Sequence, residues 1–154
     1  MDDTRWLDAE EQRTWRSFIT AHRLFFDRIE RQLQTDSGLP HAYFEILVRL
    51  SEAPDRTLRM SELAASSLSS RSRLSHAVAR MEEAGWVRRS ACPTDKRGQF
   101  AELTDEGFAY LDSAARGHVE EVRARLFDVL TPEQQKALRE ISDAITESLT
   151  DEGR

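Results

Sequence analysis

Along most of the chain the apolar positions recur three and four residues apart, the spacing of one helix face; strand-like alternation is confined to one short region. Trp15, Phe18, Ile19, His22, Phe25, Phe26, Ile29 and Leu33 mark the first helical stripe. Asp8 stands ahead of it with Glu11 three residues on, a capping-box pattern, and TDSGLP breaks it after Gln34. At 1.5 Å per residue such a helix is about 40 Å long, more than one small domain covers by itself. Pro40 suits the first turn of a second helix carrying Phe44, Leu47, Val48 and Leu50, which stops before Ala53-Pro54. A short connecting segment, Arg56 to Met60, follows. Ser61 is expected to cap a third helix, SELAASSL, with Leu63, Ala64 and Leu68 inward and a polar turn around Ser69. Ser70 caps a fourth, RSRLSHAVARMEEA, which Gly85 ends.

Alternation then takes over. Trp86–Cys92 and Phe100–Leu103 read as two short strands joined by the loop PTDKRGQ, with Ala101 and Leu103 on one face and Phe100 and Glu102 on the other. Thr104 opens a fifth helix expected to reach Leu130, striped by Phe108, Leu111, Ala115, Val119, Val122, Leu126 and Leu130. Thr131, Pro132 and Gln134 form a strong start for a sixth, which carries Leu138, Ile141, Ile145 and Leu149. The fold class is therefore mainly α. It is a winged helix-turn-helix with a small β-hairpin wing, flanked by N- and C-terminal helices that form a dimerisation region. Residues 1–38 and 104–154 would make that region and residues 39–103 the winged helix, in one integrated domain of 154 residues.

Charge sharpens this picture. The chain carries a net −6, but the segment from Arg56 to Phe100 holds nine Lys/Arg against four Asp/Glu, and the remainder thirteen against twenty-four. A basic centre in an acidic frame can bind phosphates whatever the global sum. No stretch is apolar for the ~18 residues of a membrane span, and the acidic start lacks a secretory signal, so a cytoplasmic protein without membrane contact is expected. The single cysteine, Cys92, excludes an internal disulfide and reads as structural or incidental. His22, His41, His76 and His118 are too scattered to suggest a metal site. No phosphate loop or nucleophile elbow occurs, and the serines between Ser66 and Ser75 fall at a turn and a cap, where serine has a local structural role. No catalytic residue, metal or cofactor is expected.

On the fourth helix a turn of ~100° per residue puts Leu74, Ala77, Val78 and Met81 on the inner face. Ser72, His76 and Ala79 point the other way, flanked by Arg73, Ser75 and Arg80. With Ser70 and Arg71 at its start, the outward face of the first turns is small, polar and basic. That suits the major groove, where base edges present distinguishable donors and acceptors. The hairpin adds Arg88 and Arg89 on the incoming strand and Asp95-Lys96-Arg97-Gly98 at the expected tip. Arg97 is placed to enter a minor groove. Asp95 would fix Arg97 or a helix arginine by an ion pair, and Gly98 would permit the reversal.

The segment SELAASSLSSRSRLSHAVARMEEAGWVRRSACPTDKRGQFAELTDEG, from Ser61 to Gly107, resembles the MarR family of bacterial regulators. Its most specific parts are the wing signature and Leu103-Thr104-Asp105-Glu106-Gly107, and the likeness in helix order runs from Asp8 to Leu149. The resemblance implies a dimeric winged-helix repressor or activator of transcription, often released from DNA by a small ligand. It implies recognition by the helix at Arg71–Ala84, minor-groove contact by Arg97 and support of the wing by Asp95. Dimerisation also follows from the chain ends: Trp6, Leu7, Trp15, Phe18 and Leu149 exceed what a compact winged helix buries. A two-fold homodimer would cover them and present two reading heads to a pseudo-palindrome in double-stranded DNA. Trp15, His22, Phe26, His41 and Tyr43 could line a pocket for a small-molecule effector between the first, second and fifth helices, but an aromatic stripe at helical spacing is normally core, and core is the favoured reading. The alternative function is a helical protein-interaction module on a winged-helix scaffold that does not bind DNA.

Overall fold

The computed structural model describes residues 4–66, 70–93 and 95–151; the expectations for Leu68 and Ser69 lie outside the described residues. Helix α1 (Ala9–Ser37) starts at the capping box read from the sequence: the Glu11 N–H donates to Asp8 at 2.8 Å and the Asp8 N–H to Glu11 at 2.9 Å. It runs one turn beyond Gln34. Gly38 closes it in the left-handed conformation (φ 65°), donating its N–H to Gln34 O while Leu39 N reaches Leu33 O. Pro40 is the residue ahead of α2 (His41–Glu52) rather than part of its first turn.

The segment expected only to connect is a strand. After a 3₁₀ turn at Pro54–Arg56, β1 (Thr57–Arg59) pairs antiparallel with β3 (Asp95–Leu103), which also pairs with β2 (Val87–Cys92), giving the sheet order β1-β3-β2. Three residues make too short an alternation to announce a strand; the edge of β3 induces it. The turn places Asp55 and Arg56 at positive φ (51° and 53°), uncommon for residues with a Cβ. Arg56 is held there from outside: its guanidinium lies 3.2 Å from Asp105 and 3.9 Å from the centre of the Phe108 ring.

Helix α3 (Met60–Ser66) begins one residue before the expected Ser61 cap, and the Glu62 carboxylate accepts the Arg59 N–H at 3.2 Å. Helix α4 (Arg71–Glu83) follows with the expected cap, Ser70 Oγ accepting from Arg73 N. Strand β3 absorbs most of the expected wing loop. The reason is the length of the register, which runs from Val87↔Leu103 out to Cys92↔Asp95. Helix α5 (Asp105–Val122) stops short of Leu130 and passes into a π-helical turn, Arg123–Phe127. Helix α6 (Pro132–Asp151) has its reciprocal cap, Thr131 with Gln134.

Two compact units result, Met1–His118 and Val119–Arg154. The first centres on Ile29, Leu33, Leu39, Leu47, Leu50, Leu63, Leu74, Val78 and Met81, all essentially inaccessible to solvent. Full burial of each such side chain stabilises by roughly 1.5–3 kcal/mol. Ala101 and Leu103 join that core from the sheet face predicted for them. On α1 the core ends at Ile29; Trp15, Phe18 and Ile19 stay exposed. In the second unit Ile141, Ile145 and Leu149 are exposed along α6. Among the described residues no helix is long and apolar enough to cross a membrane.

Candidate nucleic-acid interface

Burial orients α4. Leu74, Ala77, Val78 and Met81 face the core, which turns Arg71, Ser72, Arg73, Ser75, His76 and Arg80 outward, all exposed. The helix faces are those the 3.6-residue period predicts. Ser70, also exposed, spends its hydroxyl on the helix N-terminus. Between α4 and the sheet lies a groove of about 530 Å³, whose walls include Arg59 and Ser61, Arg71, Ser72 and Ser75, and Asp95, Gly98 and Gln99. Residues expected from the helix and from the wing thus meet across one groove.

The arginines divide by what they already hold. Arg88 pairs with Glu102 across the sheet at 2.8 Å, Arg89 with Glu82 of α4 at 2.8 Å, and Arg80 with Glu83 at 3.8 Å. The Arg89 pair is the least exposed of the three and ties α4 to β2. Arg71 and Arg73 have no ion pair among the described residues and are exposed.

The wing differs from expectation in three ways. Two residues, Pro93 and Thr94, separate the strands, and Thr94 lies outside the described residues. Ala91 faces Gln99 and Cys92 faces Asp95, so Lys96, Arg97 and Gly98 form a bulge without partners across the ladder rather than the tip of a loop. The side chains of Lys96 and Arg97 lie outside what is described. Asp95 lies 3.9 Å from Arg59 of β1, an ion pair the sequence did not suggest; the expected pairing of Asp95 with Arg97 falls on a side chain outside the described residues. Gly98 is not left-handed; it provides space, since a Cβ there would stand 3.0 Å from Asp95 Oδ2 and 3.1 Å from Cys92 Cβ. Cys92 is buried, with Arg59 Nη2 donating to its Sγ at 3.3 Å. Arg59, Ser61 and Gln99 were missed because β1 carries no local signal and its neighbours on the groove come from distant segments.

The aromatic set proposed for an effector pocket forms a ladder of rings. Trp15, Phe18, His22 and Phe26 follow one another along α1, and Phe26 reaches His41 with centroids 5.7 Å apart. His41 then neighbours His118, which lies 4.4 Å from Phe44. A cavity of about 300 Å³ opens beside His41, Phe44, Val48, Arg49, Glu52 and His118. Of the five residues named from the sequence, His41 lines it. Burial, with the His41 charge second, holds His118 below the ordinary histidine range, and its Nδ1 has no partner among the described residues. No group of three or more potential metal ligands occurs among the described residues.

A sequence profile described as the MarR family matches residues 37–98. PecS, an HTH-type transcriptional regulator of Dickeya dadantii, is 32% identical over 111 residues, 71% of this chain; the match spans 64% of PecS, just under two thirds of its length. Sco3205, a MarR family transcriptional regulator from Streptomyces coelicolor solved in complex with DNA, is 58% identical, with 97% of this chain and 93% of that one covered and a TM-score of 0.93. AbsC, a MarR family regulator from the same organism, is 42% identical over 96% of this chain and 99% of its own, with a TM-score of 0.92. Identity at this level over nearly the full length of both solved chains extends the Ser61–Gly107 resemblance to all six helices and the wing: the chain belongs to the MarR family of transcriptional regulators.

Proposed function

We propose that the chain is a DNA-binding regulator of transcription, a homodimer that places one α4 from each protomer in successive major grooves of a pseudo-palindromic site and a wing in each flanking minor groove. The observation that carries this reading is the pair Arg71 and Arg73. Both are exposed on the first turn of α4, Arg71 in the wall of the groove, and neither has an ion pair to a carboxylate among the described residues. Arg88, Arg89 and Arg80 act mainly within the scaffold through Glu102, Glu82 and Glu83. Ser72, Ser75 and His76 offer hydrogen bonds to phosphates or base edges, and the Lys96–Gly98 bulge carries the minor-groove contact of Arg97. The protein acts as a repressor in the cytoplasm, without catalysis, and the cavity at His41 and His118 admits a small effector that releases it from DNA.

The test is binding to a duplex enriched by the protein from random sequence, measured at several salt concentrations. Arg73→Ala and Arg97→Ala should each weaken binding by about 1–3 kcal/mol where a base contact is lost, with circular dichroism unchanged. Each lost phosphate contact should flatten the salt dependence by about 0.9 in log–log slope. Unchanged affinity in both variants, or no duplex binding at any salt, would sink the assignment and favour a protein-interaction module.

A further inference from the structure

Arg59 has one side chain and three attachments around the wing bulge. Its Nη1 stands 3.9 Å from Asp95 Oδ2, its Nη2 donates to Cys92 Sγ at 3.3 Å, and its guanidinium carbon lies 5.5 Å from the centre of the Phe100 ring. Cys92 and Asp95 form the cross-strand pair just outside the bulge. Phe100, the Cα partner of Arg59 on β3, lies on the sheet side of it. The contacts therefore bracket Lys96, Arg97 and Gly98 from both ends, where the ladder itself supplies no pairing. A bulge bends its strand and re-aims the side chains it carries, so whatever fixes the bulge fixes their direction. A guanidinium suits this work. Its planar fork can offer one edge to a carboxylate, another to a sulfur and a face to a ring, a span that a compact lysine ammonium lacks.

We infer that Arg59 is a positioning residue for DNA binding: it sets the conformation of the Lys96–Gly98 bulge and acts on DNA through Arg97. The inference rests on the proposed contact of the wing with DNA. It assigns β1, the one strand without a sequence signature, the task of aiming the wing across the groove from α4.

The experiment compares wild type, Arg59→Lys, Arg59→Gln, Asp95→Asn, Arg97→Ala and the Arg59→Lys/Arg97→Ala double variant on the same enriched duplex at one salt concentration. Melting curves are recorded alongside. Both Arg59 variants and Asp95→Asn should bind about tenfold more weakly while remaining folded, and in the Arg97→Ala background Arg59→Lys should cost almost nothing further. Wild-type affinity in Arg59→Lys would overturn the inference, because positive charge alone would then suffice. Full additivity with Arg97→Ala would overturn it too, as would loss of the folded state in both Arg59 variants, since Arg59 would then act directly on DNA or hold the fold. Wild-type binding by Arg97→Ala alone would instead remove the underlying reading of the wing, and this inference with it.

Discussion

Gly107 shows what a single missing methyl group can hold together. A Cβ at that position would stand 2.1 Å from Trp86 O and 2.8 Å from Leu103 Cδ1. Its N–H donates to Thr104 Oγ1 at 3.0 Å, and the same hydroxyl donates to Gly85 O at 2.6 Å. The end of β3, the start of β2 and the start of α5 are thus fastened within one turn. Trp86 adds a stacked contact with Tyr110, whose hydroxyl donates to Ser37 O near the end of α1. Gly107→Ala should destabilise the protein by about 1–3 kcal/mol, the usual cost of overpacking, or more, since backbone is what it meets. Urea titration checks this, and an unshifted midpoint would mean that the turn relaxes freely. The run Leu103–Gly107 was legible as a signature, but its reason was not, because Trp86 and Gly85 are distant in sequence. The same limit applied to Arg88 and Arg89, which read as free charge until the fold set Glu102 and Glu82 beside them.

Among elements, α4 has both structural and functional demands on its first turn. Ser70 accepts the Arg73 N–H, and Arg71 and Arg73 stand exposed in the same turn. Ser70→Ala should cost about 1 kcal/mol of stability through the lost cap. Ser70→Asp keeps the cap and complements the helix dipole, so stability should match or exceed wild type. Yet it brings a carboxylate to the turn proposed to meet phosphate, so duplex binding should weaken most at low salt. Thermal melts and binding isotherms on the pair separate the two roles; parallel losses in both measurements for Ser70→Asp would contradict the placement of this turn against DNA. Helix starts were legible throughout α1, α4 and α6 because a cap is a local bargain between a side chain and a backbone N–H three residues away. Helix ends were less so: α5 gives way to a π-helical turn at Arg123–Phe127 that no residue pattern announces.

At the scale of the whole molecule, the unburied apolar stripes stand out. Ile141 is 56% exposed, Ile145 41% and Leu149 66%, all on one stripe of α6, while Trp15 and Phe18 on α1 are about half exposed. A lone protomer leaves each of these stripes in water, and a second copy is the occupant proposed for each. Replacing Ile141 and Ile145 together by lysine should turn the dimer into a monomer in analytical ultracentrifugation while α6 stays helical. Binding to the enriched duplex should fall with it, because two linked reading heads become one. A dimer that persists would place the interface elsewhere.

From the amino-acid order alone came the helices, the starting caps of α1, α4 and α6, the inward and outward faces of α4, the two wing strands and the family likeness. All of these depend on neighbours within a few residues and on the 3.6- and 2-residue periods. Tertiary structure decided the rest. It made Thr57–Arg59 a strand, placed Lys96–Gly98 in a bulge, set Arg59 beside Asp95, and left Arg71 and Arg73 without an ion pair among the described residues. The pairing of β1 with β3 and of Arg59 with Asp95 joins residues tens of positions apart, and no local pattern encodes which partner arrives.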